Sequence, residues 1–181
     1  QLNGFKSFAE KTNFLIEKGL TGIVGPNGCG KSNIVESLRW AMGETSAKSM
    51  RGSGMEDVIF NGTSNKASKN IAEVSITLDN TNHQGPFQYK EMDHIEVRRK
   101  IEKDKGSKFF INDKEVRARD AQMFFADLST GAHSPSMISQ GRIGALVTAK
   151  PTDRRAILEE AAGISGLHVR RHEAELRLSA A

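Results

Sequence analysis

The chain has 181 residues, 37% of them hydrophobic, which suffices for one good core with at most a small appended lobe. A net charge of +4 and an isoelectric point near 9.3 permit contact with nucleic acid without requiring it. Cys29 is the only cysteine, no signal peptide opens the chain and no apolar run reaches membrane-spanning length, so the sequence predicts a cytoplasmic protein without disulfides or membrane contact.

The first forty residues predict two strands, a glycine-rich loop and a helix. Residues 12–16 are typical of a strand, and the apolar run 20–24 predicts a buried strand that leads into the loop. Behind the loop, apolar residues recur at helical spacing over residues 33–42. A phosphate-binding loop requires this position between strand and helix.

The loop itself, residues 25–32, has the pattern G-x-x-x-x-G-K-S. Glycines let successive backbone N–H groups turn toward a polyphosphate, and the helix N-terminus adds its dipole and unpaired amides. In this pattern Lys31 reaches the terminal phosphates and the Ser32 hydroxyl is a magnesium ligand. Against a coincidental Gly-rich turn, the sequence favours a nucleotide site made of Gly25, Pro26, Asn27, Gly28, Cys29, Gly30, Lys31, Ser32 and Asn33. Cys29 is either a thiol activated by the helix N-terminus or a small residue that the loop tolerates.

The segment that follows, residues 44–54, is polar, glycine-bearing and without period, and it predicts a loop with Arg51 near its tip. Arg51 is either a solvated surface charge or a residue that faces nucleotide, a partner protomer or DNA.

The middle third predicts an antiparallel meander. Alternating residues mark strands over 71–78 and 95–101, and residues 108–111 and 114–116 flank a hairpin turn at Asn112 and Asp113. The basic residues of these strands are compatible with a nucleic-acid face, but charge for solubility is the favoured interpretation.

The last third predicts helices. Residues 118–128 have helical spacing, residues 134–143 break the period, and the segment from Pro151 begins a long helix that becomes rich in Arg and Glu past Leu167. Such a helix requires a partner.

A P-loop hydrolase also needs an aspartate at the end of a buried strand to hold magnesium. Asp79 ends a strand that alternates polar and apolar residues, and Asp127 lies in a predicted helix, so neither fits that role. The sequence therefore predicts half of an active site.

Taken together, five motifs in order resemble the N-terminal head segment of bacterial structural maintenance of chromosomes (SMC) proteins. They are residues 4–8, 25–33, 48–52, 138–143 and 154–164. The resemblance covers nearly the whole chain.

The resemblance implies an α/β fold: a P-loop NTPase, the N-terminal half of an ABC-type ATPase head, with an antiparallel β subdomain. Residues 1–150 would form this lobe, and residues 151–181 the start of an outgoing coiled-coil helix. Gln140 matches the family's glutamine loop, which approaches magnesium and the attacking water, and Arg51 matches its arginine loop. Lys6 and Ser7 would lie near the nucleotide.

The resemblance also implies a function: with ATP and Mg²⁺, head engagement would drive chromosome condensation and segregation. The expected partners are the C-terminal lobe of the same protein, a second SMC head in a homodimer, a kleisin with its accessory subunit, and DNA in the nucleoid. The magnesium aspartate, catalytic glutamate and signature motif would come from the missing lobes, so the complete protein is expected to be an ATPase and this chain alone inactive. A head lobe of a related DNA-repair ABC ATPase and a nucleotide-binding module without turnover remain alternatives. A small-molecule P-loop kinase is disfavoured by the antiparallel middle third and the long terminal helix.

Overall fold

The structure is a computed structural model that describes residues 1–128, 130, 137–138, 144, 147–162, 171 and 178–179. Within these residues a five-stranded antiparallel sheet has its strands in chain order. The strands are β1 (Leu2–Asn3), β2 (Ile71–Asp79), β3 (His94–Glu102), β4 (Gly106–Ile111) and β5 (Lys114–Val116). The α-helices are α1 (Lys31–Ala41), α2 (Ala118–Asp127) and α3 (Pro151–Ala161), and short 3-10 turns span Lys48–Met50, Met55–Val58 and Phe87–Tyr89.

The predicted meander is confirmed. Strands β2 and β3 pair along their whole length, from Ile71 opposite Glu102 to Asp79 opposite His94. Between β4 and β5 the turn residues Asn112 and Asp113 have φ angles of 47° and 63°. Two consecutive left-handed residues match the right-handed twist of a hairpin, and Asn and Asp are among the residues that tolerate this conformation.

Both core clusters lie on one face of the sheet. Alternate residues of β3 point to that face, where Ile101 packs in a cluster with α1 and Ile95 and Val97 pack in a cluster with α2. The largest fully buried side chains are Trp40, Phe5, Phe125 and Met50. Helices α1 and α2 therefore cover the same side of the sheet.

The opposite face of the sheet carries ion pairs between its strands. Arg98 contacts Glu73 and Asp113, and Lys108 lies 3.0 Å from Glu115. Because acidic partners balance these cations, the geometry supports the solubility interpretation of the basic strands over a nucleic-acid face.

The predicted strands at residues 12–16 and 20–24 are wrong for this structure. Thr12 forms one isolated bridge with Leu2, and neither segment is a strand. Leu15, Leu20 and Val24 are 82, 98 and 92% exposed, so the run expected to be buried is open to solvent. A strand needs a neighbour to pair with, and the sheet from β1 to β5 offers none to these residues.

The predicted helices at 33–42, 118–128 and from Pro151 are confirmed as α1, α2 and α3 within the described residues. The expected coiled coil and Gln140 lie outside the described residues. None of the helices that the structure describes is long and apolar enough to span a membrane.

Candidate nucleotide-binding site

The glycine-rich loop adopts backbone conformations that only glycine takes readily. Gly28 and Gly30 have φ angles of 80° and 89°. A Cβ added at Gly30 would lie 2.9 Å from Ser7 Oγ, and one at Gly25 would lie 3.0 Å from Cys29 Sγ. Glycine is therefore required at Gly30 both by its left-handed backbone and by the approach of Ser7.

Helix α1 begins directly behind the loop. Gly30 is its N-cap and supplies no side-chain acceptor, while its carbonyl accepts the N–H groups of Asn33 and Ile34. The first turn carries no acidic residue. A helix start without a capping side chain leaves amide donors and the positive end of the helix dipole available to an anion.

Lys31 turns back onto the loop. Its Nζ donates to the carbonyl oxygens of Gly25 at 2.7 Å and Pro26 at 2.6 Å, and it lies 3.9 Å from Cys29 Sγ. An ammonium group, backbone amides and a helix N-terminus thus converge on one short loop. This donor set fits a polyphosphate.

The loop is bordered by a closed ring of polar contacts, here called the polar ring and made of Lys6, Ser7, Asn33, Glu36 and Arg51. Asn33 Nδ2 donates to Ser7 Oγ at 2.8 Å, and Arg51 Nη2 donates to Asn33 Oδ1 at 2.8 Å. Arg51 Nε lies 2.6 Å from Glu36 Oε1. Lys6 Nζ contacts the other Glu36 oxygen and the Met50 carbonyl, and the chain bond from Lys6 to Ser7 closes the ring.

The ring brings together three residues predicted from the resemblance. Ser7 borders Gly30, and Arg51 is held at the first turn of α1. Lys6, in contrast, directs its ammonium group toward Glu36 and Met50 rather than toward the loop.

Glu36 was missed by reasoning from the sequence. It lies three residues after Asn33 on α1, and this spacing puts both side chains on one face of the helix. A carboxylate among the apolar residues of an amphipathic helix was the available signal, because such a group is buried only when it is paired.

Magnesium has one expected ligand in the described loop, the exposed Ser32 hydroxyl. In the described ranges no group of three or more His, Cys, Asp or Glu residues is arranged to hold a metal ion. Asp79 ends the antiparallel strand β2, where its carboxylate accepts the Thr81 N–H and hydroxyl, which lower its pKa below the ordinary value. Asp127 closes helix α2. Neither carboxylate therefore stands at the end of a central parallel strand.

The phosphate-type loop at the start of α1, packed beside an antiparallel sheet, defines a class: the N-terminal lobe of an ABC-type P-loop ATPase head. The family model described as "RecF/RecN/SMC N terminal domain" matches residues 1–142. The chain therefore belongs to the RecF/RecN/SMC N-terminal domain family.

Relatives and solved structures agree with this assignment. The chain is 57% identical over 181 residues to the chromosome partition protein Smc of Rhodopseudomonas palustris and 59% identical over 180 residues to that of Cereibacter sphaeroides. These matches cover 100 and 99% of this chain and 16% of each relative, so the chain spans a small part of their length.

Among solved structures, an SmcHead bound to the C-winged helix domain of ScpA matches with a TM-score of 0.81 and 31% identity, over 91% of this chain and 50% of that one. A structure from work on ATP-driven dimerization and DNA stimulated activation of SMC ATPases matches with a TM-score of 0.75 and 29% identity, over 88% of this chain and 95% of that one.

Proposed function

We propose that this chain is the ATP-binding N-terminal lobe of an SMC head and that ATP-dependent engagement of two such heads serves chromosome partition. The observation that carries the proposal is the loop itself, where Lys31, glycines in left-handed conformations and the start of α1 converge. Relatives named as chromosome partition proteins support the cellular role.

In this proposal the amides of residues 25–33 and the ammonium group of Lys31 hold the phosphates of ATP. Ser32 contributes an oxygen ligand to magnesium, and Gln140 orients the attacking water. Mg²⁺ bound with ATP would neutralise the charge that develops on the γ-phosphate. Arg51 adds a cation beside the first turn of α1, where an anionic partner, nucleotide or DNA, would meet it.

A C-terminal lobe of the same protein is proposed to complete the site. The matched SmcHead is about twice as long as its match to this chain, since the match covers 50% of it. Residues 14–24 expose Leu15, Leu20 and Val24 and pair with no strand of the described sheet. Strands supplied by that lobe would pair with this segment and bury its apolar residues, which open to water lack about 1.5–3 kcal/mol each of possible burial free energy.

Further partners are proposed from the solved relatives. One has been studied for ATP-driven dimerization and for activation stimulated by DNA, and another binds the C-winged helix domain of ScpA. A second SMC head, DNA and a kleisin with its accessory subunit are the corresponding partners here. The γ-phosphate shared between two heads would favour the engaged state, and hydrolysis would remove that bias.

The decisive experiment is Lys31→Ile in the complete protein, with ATP affinity measured by isothermal titration. Loss of the ammonium group is expected to abolish measurable binding. Lys66→Ile is the matched control, because Lys66 is an exposed lysine paired with the surface residue Glu10 and should keep wild-type affinity. Retained ATP affinity in Lys31→Ile would refute the proposal.

A nucleotide-binding module without turnover is the second candidate. It is favoured by the lack of a metal-holding carboxylate cluster among the described residues. ATPase assays on this chain alone and after addition of a C-terminal lobe separate the two. We expect no turnover alone and turnover when the lobe is added, and binding without turnover in both samples would favour the module.

A further inference from the structure

Within the polar ring, one carboxylate contacts both cations. Glu36 has a 10% exposed side chain, with one oxygen on Lys6 and the other 2.6 Å from Arg51. A buried carboxylate needs such partners, since transfer of an unpaired charge out of water is costly. The two contacts go to different segments, the turn at residues 5–8 and the loop at residues 48–52.

Arg51 is held at two points yet stays accessible. Its Nε contacts Glu36 and its Nη2 donates to Asn33 at 2.8 Å, while 59% of its side chain is exposed. Two contacts on a planar guanidinium fix its orientation, and these contacts use two of its five N–H donors. The backbone supports the same position, because Arg51 has a φ of 55° and its N–H donates to Lys48 O.

We infer that Glu36 is a positioning residue for Arg51: its carboxylate orients the guanidinium beside the first turn of α1, ready to receive a phosphate group. Arg51 would otherwise be a long exposed side chain whose ordering costs up to about 2 kcal/mol of conformational entropy on binding. A guanidinium already ordered by Glu36 avoids that loss. The inference rests on the proposed function, because it assumes that the loop beside Arg51 binds ATP.

The charges agree with a positioning role. Glu36 carries one negative charge between two positive ones, so the local sum with Lys6 and Arg51 is +1. Lys6 is largely buried, with 13% side-chain exposure, and Arg51 is largely exposed. The surplus positive charge therefore faces outward through Arg51, next to Asn33 and the glycine-rich loop.

The test is a double-mutant cycle on Mg·ATP affinity in the complete protein, with wild type, Glu36→Gln, Arg51→Ala and the double variant. Glu36→Gln is expected to weaken binding about tenfold, the effect of losing one charge-assisted hydrogen bond. In the Arg51→Ala background the same change should cost less than twofold, since Arg51 is no longer there to be oriented. Glu36→Asp keeps the charge and should remain within threefold of wild type.

Two further samples guard against misfolding. Lys6→Met with Glu36→Gln removes both buried charges together, and its affinity, compared with Lys6→Met alone, should again fall about tenfold. Fluorescence of Trp40, the only tryptophan of the chain, reports whether the cluster around α1 is intact in each variant.

Three outcomes would overturn the inference. They are an equal loss from Glu36→Gln with and without Arg51, an Asp variant as weak as the Gln variant, and unchanged affinity in the Lys6→Met pair. Each leaves ATP binding by the wild type intact. A wild-type protein that binds no Mg·ATP would instead overturn the proposed function and this inference with it.

Discussion

Replacement of Arg99 by methionine should strongly destabilise the protein. Arg99 lies on β3, is 3% exposed and has its guanidinium carbon 4.5 Å from the Trp40 ring and 4.6 Å from the Phe109 ring. Its Nη1 donates to the carbonyl oxygens of Trp40 at 2.8 Å and Glu44 at 2.6 Å. Burial lowers the pKa of Arg99 to about 10, opposed by the charge of Glu44, so the guanidinium stays positive at neutral pH.

The magnitude follows from the acceptors that would be left behind. Methionine preserves much of the aliphatic stem but donates no hydrogen bond, so the Trp40 and Glu44 carbonyls lose a buried donor at about 1–3 kcal/mol each. Loss of the ring contacts adds roughly 0.5–1 kcal/mol per ring. Relief from burying a cation offsets part of this cost. We therefore expect the free energy of unfolding to fall by roughly 2–4 kcal/mol.

Urea unfolding followed by Trp40 fluorescence measures this change, because the tryptophan contacts the guanidinium. Arg98→Met is the matched control. Arg98 is the preceding residue, lies over the Phe110 ring and is ion-paired, but it faces solvent on the other side of the sheet. Its replacement should cost less than about 1 kcal/mol. Equal costs for the two variants would refute the reasoning from burial.

Three other predictions concern the loop and the turns. Gly30→Ala should weaken ATP binding at least tenfold, as measured by titration, because its φ of 89° and the nearby Ser7 hydroxyl exclude a methyl group. Asn80→Asp should cost about 2–3 kcal/mol in thermal unfolding, because its buried amide donates to backbone carbonyls between residues 89 and 92, which a carboxylate would repel. Asp57 has a pKa below its ordinary 3.8, chiefly because of the Gly54 N–H, so the stability lost in Asp57→Asn should be constant above pH 4 and shrink as pH falls below 3.8.

Each of these predictions has a control or a contradicting result. Gly22→Ala meets no atom within 4 Å and should leave ATP affinity unchanged. Asn65→Asp, at an exposed position, should leave the midpoint of thermal unfolding nearly unchanged. A loss in Asp57→Asn that grows on acidification would contradict the sign derived from the lowered pKa.

Local patterns were sufficient for the sheet and for helix α1. Alternation along β2 and β3, and the Asn112–Asp113 turn, are properties of neighbouring residues, and the structure has them where they were predicted. Residues 20–24 show the limit of this reasoning. Their composition favours a strand, but pairing needs a second strand, and the described sheet supplies none.

The polar ring was harder to predict. Ser7 and Asn33 are 26 positions apart, and Arg51 and Asn33 are 18 apart, so their contacts depend on how the loops pack. Similarity to a known family directed attention to Lys6, Ser7 and Arg51, but only the geometry connects them through Glu36. Buried charges whose partners are distant in the chain leave little signal in a single sequence.

Helix α1 is fastened at both of its ends. Asn33 and Glu36 tie its first turns to two loops, and Arg99 binds carbonyls at its last turn and just beyond it. A helix held in this way moves as a rigid rod, so a displacement of a few tenths of an ångström at the glycine-rich loop would tilt β3 rather than fade within one turn. Mechanical work done on phosphate would thus reach the sheet without any intervening hinge.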